Sequence, residues 1–252
     1  MNEALFHHTL ALADDALVLG HRLSEWCRYA PTHEEDLALA NMGLDLIGQA
    51  RALYTYAAEM EGKGKTEDDY AYQRGENEFK NLLINELPNG DFAFTMVRMM
   101  LISAFLLPYW QQMKTGKEPH LAAIAERAEK EVAYHLRHAS DWVIRLGDGT
   151  EESRARTLAA LENLWAWLPE MFENSKAELE LIKNGLTPDR PALRAQFNRT
   201  VDAILAKAAL ALPKTGKKYM QGGGRLSQHT EYLGYLLAEM QVLARRYPQA
   251  VW

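Results

Sequence analysis

Between its glycines and prolines the chain consists of helix-length segments whose apolar residues recur at three- and four-residue spacings, and that period confines it to packed helices. The segments are rich in Ala, Leu, Glu, Arg and Met, which lose little side-chain freedom in a helix. No run shows the two-residue alternation of a half-buried strand, so the class is all-α. The pattern predicts helices at about 4–28, 34–61, 91–115, 119–146, 152–174, 190–211 and 228–246. The dividing loops carry Pro31, Gly62 and Gly64, Pro88-Asn89-Gly90, Gly116, Gly147 and Gly149, Pro188 and Gly222-Gly223-Gly224. Long helices joined mostly by short loops make an antiparallel up-down bundle rather than an array of short helices.

At 252 residues, with 48% hydrophobic and 25% charged side chains, the chain can bury a core without disulfides or a metal staple. No compositional block marks a second class of domain, so a single domain over 1–252 is expected. A net charge of -6 argues against a broad nucleic-acid surface, which draws its affinity from clustered Lys and Arg. The single Cys27 suits a reducing cytoplasm and is expected as a small packed core residue. The N-terminus runs into an amphipathic helix without the basic start of an export signal. The longest apolar run, Met99 to Trp110, is about half a membrane span and is interrupted by Ser103 and Pro108, which makes it a buried helix rather than a membrane anchor. Met96, Met99, Met100, Trp165, Trp167 and Phe172 at helical spacing are expected in the core, with an apolar docking stripe as the alternative.

Two segments depart from the helical pattern. Residues 62–90 begin with the charged Lys63-Gly64-Lys65-Thr66-Glu67-Asp68-Asp69, then carry Tyr70, Tyr72, Arg74, Phe79 and Lys80, too aromatic for a loose linker; long ordered connections of this kind often line a binding mouth. Residues 213–227 combine Lys214, Lys217, Lys218 and Arg225 with three glycines, which would either hold an anion or turn the chain.

Familiar catalytic motifs fail. Gly64-Lys65-Thr66 has Glu59 where a phosphate loop needs its first glycine, and no G-x-S-x-G elbow occurs. A di-iron bundle takes Glu-x-x-His from each of two helices, because three-residue spacing puts both side chains on one face. The residues three positions before the eight histidines are Ala4, Leu5, Val18, Ala30, Lys117, Val132, His135 and Leu226, and not one is a carboxylate. Glu131 with His135 and His138 comes nearest and reads either as a residual ligand set or as a polar helix face. On the second helix Asn41, Asp45 and Gln49 recur every four residues among Leu37, Leu44, Leu46, Ile47 and Leu53. A buried hydrogen-bonded network there and a wet groove are the two readings, since an unpaired buried polar group costs about 1–3 kcal/mol.

The strings Asp36-Leu-Ala-Leu-Ala-Asn-Met-Gly-Leu-Asp-Leu-Ile-Gly-Gln-Ala-Arg51, Tyr56-Ala-Ala-Glu59, Pro88-Asn-Gly90, Lys130-Glu-Val-Ala-Tyr-His-Leu-Arg137 and His229-Thr-Glu-Tyr-Leu-Gly234 closely resemble the PaaC family, the structural subunits of bacterial phenylacetyl-CoA epoxidases. The likeness runs from Leu12 to Trp252. It implies a ferritin-like antiparallel helical bundle with additional helices. Where the family's catalytic sister subunit, PaaA, keeps Glu-x-x-His twice, this chain has Leu46 and Gln49 on one helix and Val132 and His135 on another. Leucine and valine cannot ligate iron.

The resemblance further implies a complex that inserts one oxygen atom of O2 into the ring of phenylacetyl-CoA. No cofactor is expected in this chain, no catalytic residue and no metal. A di-iron centre is expected in PaaA, with NADPH, flavin and an iron-sulfur cluster on a reductase subunit. The family's substrate-contact segments map onto Glu78-Phe79-Lys80-Asn81 and Glu178-Leu179-Glu180, with Lys80 and Arg74 as donors for CoA phosphates. The alternatives are a metal-free acyl-CoA-binding bundle and an autonomous metalloenzyme built on Glu131, His135, His138 and Asp45.

Overall fold

A computed structural model of the chain describes residues 2–212, 221–248 and 250. Its helices are α1 (Glu3–Ser24), α2 (His33–Glu61), α3 (Phe92–Met113), α4 (Pro119–Gly147), α5 (Glu151–Trp165), α6 (Lys176–Lys183), α7 (Arg194–Lys207) and α8 (Glu231–Arg246), and the described residues contain no strand. The all-α expectation holds. The chain forms two compact units, residues 1–88 with 222–252 and residues 89–221.

In the first unit α1 and α2 form an antiparallel hairpin. The Asn2 and Thr32 side chains cap the two helices by accepting from Leu5 N and Glu35 N, and Gly62, in the left-handed region at φ +66°, ends α2. The pair is close-packed at Gly20. A Cβ there would lie 3.0 Å from Ile47 Cγ1 and 3.2 Å from the Gly43 carbonyl oxygen, so glycine lets the two backbones approach. Apolar residues surround α1 on nearly every side, from Leu10 to Leu23. The connection from 62 to 90 is ordered by a single π-turn at Asp69–Gln73 and 3₁₀ turns at Glu76–Glu78 and Leu83–Asn85. α8 lies on that connection, where Gln241 Nε2 donates to the Ala71 and Arg74 carbonyls, both at 3.0 Å.

In the second unit α3 and α4 form another antiparallel hairpin, fixed at one end by Phe92 edge-on to Trp142 and at the other by the Lys114–Glu129 ion pair. α5 and α7 pack against this pair. α3 is long and apolar enough to cross a membrane, but Met96, Met99, Met100, Ile102 and Trp110 are buried, as a core helix requires. The helix continues through Pro108, which removes one backbone donor without ending it.

Several boundaries differ from the sequence pattern. α1 stops at Ser24, and the chain turns through Arg28, at φ +77°, whose N–H donates to Asp36 Oδ1 at 2.6 Å. α5 ends at Trp165 rather than near 174, because Pro169 cannot continue an α-helix and starts a 3₁₀ turn at Leu168–Phe172. Residues 190–193 likewise form a 3₁₀ turn around Pro191 before α7 begins. α6 has no counterpart in the expected elements, although its capping box, Ser175 with Glu178, is written in the sequence. Cys27 is exposed rather than packed. Leu37 and Leu44 are exposed as well, at 53% and 65%, so this face of α2 is left open among the described residues.

Candidate functional site

The polar heart of the first unit is built on Asp14 and Asp15, two acids buried in the middle of α1. A charge there survives only if it is paired and hydrogen-bonded. Asp14 receives the guanidinium of Arg74, the Tyr54 hydroxyl at 2.5 Å and the Lys80 N–H at 2.8 Å. Arg74 also donates to the carbonyls of Tyr70 (2.6 Å) and Glu78 (3.0 Å) and to the Tyr54 hydroxyl (3.0 Å), and its guanidinium carbon stands 4.3 Å from the centre of the Phe79 ring. Burial opposes the charge on Arg74, yet Asp14 and Tyr54 raise its pKa. Burial, reinforced by Asp14, pushes the Tyr54 phenol well above its ordinary value. Stacked beside it, Tyr70 donates to Glu61 at 2.7 Å and, with Lys63 and Lys65, holds that carboxyl down to about 2.

Asp15 accepts from Leu82 N at 2.6 Å, from Asn85 Nδ2 at 3.1 Å and from Arg225 at 2.5 Å. Arg225 donates as well to the carbonyls of Ala11 and Lys80. Of the basic group expected at 213–227, Arg225 is therefore turned inward onto α1, whereas Lys214, Lys217 and Lys218 lie outside the described residues. A third buried carboxylate, Glu86, accepts from Asn81 Nδ2, from both the N–H and the hydroxyl of Thr230, and faces His229 at 2.6 Å. Arg22 closes the arrangement by donating to the carbonyl of Glu86 and to that of Tyr232.

These bonds define what residues 78–81 can present. Phe79 and Asn81 are wholly buried. Lys80 is half-buried, with its ammonium 2.6 Å from Ser227 Oγ. Glu78 is exposed and its carboxylate accepts from the Gly75 N–H at 2.7 Å. Arg74, expected as a phosphate donor, has all its N–H groups directed at protein oxygens and is only 8% exposed. The resulting chemistry is that of a scaffold: three buried carboxylates pin the connection to α1 and to the start of α8.

In the second unit Glu178 is buried, accepts from the Ser175 N–H at 2.6 Å and pairs with the buried Arg190 at 2.7 Å. Leu179 and Glu180 are exposed. The segment 178–180 thus combines one structural acid with two solvent-facing side chains.

The positions that the resemblance matches to metal ligands are interior ones. On α2, Leu46 is 1% exposed and Gln49 is buried. On α4, Val132 and His135 are buried. Neither pair supplies a carboxylate, so these residues do not fit a di-iron centre. Glu131, half-buried beside Val132, is engaged by Arg127 at 2.6 Å, and His138 lies against the Tyr134 ring. Among the described residues no three His, Cys, Asp or Glu side chains converge as a metal site. The stripe expected as an interior network is graded: Asn41 is exposed, Asp45 is half-buried and Gln49 is buried. The wholly buried reading fails at Asn41, because the face it shares with Leu37 and Leu44 is open.

Asp14, Asp15, Glu86 and His229 are not foreseen as a network from the sequence pattern. The signal is present in Leu10-Ala-Leu-Ala-Asp-Asp-Ala-Leu-Val-Leu19, where two acids interrupt a helix that is apolar all round and so must be buried with partners.

An all-α protein with buried ion pairs, and with no converging metal-ligand set among the described residues, is the class that this geometry defines. The profile of the phenylacetic acid catabolic protein family (PaaA_PaaC) matches residues 1–252. The chain is 43% identical to the C subunit of the 1,2-phenylacetyl-CoA epoxidase of Escherichia coli (strain K12), over 252 residues and all of both chains. It belongs to the phenylacetic acid catabolic protein family.

Proposed function

We propose that this chain is the non-catalytic structural subunit of a phenylacetyl-CoA 1,2-epoxidase, acting in aerobic phenylacetate catabolism in the cytoplasm. The observation that carries the reading is the full-length likeness to an epoxidase C subunit, joined to hydrocarbon side chains, Leu46 and Val132, at the matched ligand positions. Oxygen activation is assigned to a di-iron catalytic partner, PaaA, and electron supply from NADPH to a reductase subunit with flavin and an iron-sulfur cluster. This chain's own residues hold a rigid framework for that partner.

The segment 78–81 is proposed to reach phenylacetyl-CoA only through Glu78 and Lys80, with Phe79 and Asn81 anchoring it from within; 178–180 would do so through Leu179 and Glu180. The test is reconstitution of the epoxidase with and without this chain. Stable co-purification with the PaaA partner, and loss of phenylacetyl-CoA-dependent turnover when this chain is omitted, are expected. Full turnover by the remaining subunits would overturn the proposal.

A further inference from the structure

We propose that His229 is held as an imidazolium whose two N–H groups clamp residues 79–86 to the start of α8, making this part of the first unit a proton-dependent latch. The case rests on what each ring nitrogen faces. Nε2 lies 3.0 Å from the Phe79 carbonyl oxygen, which can only accept, so Nε2 must carry a proton. Nδ1 lies 2.6 Å from Glu86 Oε1. That carboxylate already takes the Asn81 amide on Oε1 and both Thr230 donors on Oε2, so both of its oxygens act as acceptors. An oxygen that already accepts from Asn81 calls for a second N–H at Nδ1. A neutral imidazole would turn a lone pair on one of two acceptors, in a site where His229 and Glu86 side chains are 1% and 0% exposed.

The other charges on the elements around the pair act in both directions. Glu76 on the connection favours the imidazolium, and Glu231 follows in the first turn of α8. Among the cations, Arg22 from α1 is directed at the carbonyls of Glu86 and Tyr232, and Lys80 is directed at Ser227 Oγ. Burial opposes the charge on His229, but Glu86 and the Phe79 carbonyl outweigh it, and the balance raises its pKa. The sign follows from linkage. The clamp is fully formed below the ordinary imidazole value of about 6.5 and is lost as pH rises through the higher folded value. Because the same residues anchor Phe79, Asn81 and the Thr230 N–H, deprotonation weakens the hold on this part of the connection and on the entry of α8 together.

The experiment is a long-range proton–nitrogen NMR spectrum of the isotopically labelled full chain, with His229 assigned by its through-space contacts to Phe79 and Thr230. At about pH 6.5, where an ordinary imidazole is half neutral, both ring nitrogens are expected at imidazolium positions. Hydrogen exchange of the Thr230 and Leu82 amides, corrected for intrinsic rates, is expected to show local opening that grows about tenfold per pH unit between the unfolded and folded midpoints, a slope that His229→Gln abolishes. A pyridine-type resonance on either ring nitrogen at that pH overturns the proposal, and so does an unchanged slope in His229→Gln. The spectrum of the unaltered chain decides the matter even where that variant does not fold.

Discussion

Replacing Arg74 by alanine tests the buried network at its centre. The guanidinium reaches five oxygens, two on Asp14 and one each on Tyr70, Glu78 and Tyr54, and covers the Phe79 ring. Alanine leaves the Asp14 carboxylate, 0% exposed, with only the Tyr54 hydroxyl and the Lys80 N–H for partners. Removing one member of a buried pair costs about 3–5 kcal/mol, because the remaining charge stays desolvated. In a chain of this length that corresponds to a fall in Tm of roughly 6–20 °C. Arg74→Lys is not expected to rescue it, since one ammonium cannot span acceptors arranged for a planar fork. Arg74→Met combined with Asp14→Asn removes both charges and should recover a coupling of about 0.5–3 kcal/mol over the sum of the single losses. The assay is reversible urea unfolding followed by circular dichroism, with exchange protection of residues 70–82 as a local readout. A loss below about 1 kcal/mol for Arg74→Ala, the level of an exposed ion pair, would refute the argument that this charge is structurally required.

Gly20→Val forces a branched side chain against Ile47 and the Gly43 carbonyl and should cost about 1–3 kcal/mol in urea unfolding. In the second unit Arg190→Ala strands the buried Glu178 and should cost about 3–5 kcal/mol, measured in the same way, whereas Glu180→Ala at an exposed position should stay within about 0.5 kcal/mol. Thermal scans of the unaltered chain should show the His229 contribution present below about pH 6.5 and declining as pH rises above it, and His229→Gln should flatten that decline.

The helices are legible in the sequence because their apolar period is long and repeated, and because the stops at Gly62 and Pro88-Asn89-Gly90 are strong. Proline inside an apparent helix is harder to weigh. Pro108 is carried within α3, whereas Pro169 follows the end of α5, and the difference lies in the mostly buried surroundings of α3, which continue past its proline at Tyr109, Trp110 and Met113. α6 escapes the pattern because eight residues give too little periodicity, although its capping box marks the start.

At the site, the missing carboxylate at Val132 can be read from its spacing to His135, and that at Leu46 is what the resemblance implies. The three anchored carboxylates cannot, because Asp14 finds Arg74 sixty residues away and Asp15 finds Arg225 at 210 residues. Such pairings are written in no local pattern. The opposite error arises on α2, where Leu37 and Leu44 suggest an interior face and the helix instead leaves them open.

The central claim, that this chain serves the epoxidase without holding a metal of its own, is tested most directly by the iron content of the full chain expressed alone in iron-replete medium. Far less than one iron per chain is predicted, with no increase on ferrous reconstitution under anaerobic conditions. Two tightly held irons per chain would contradict it.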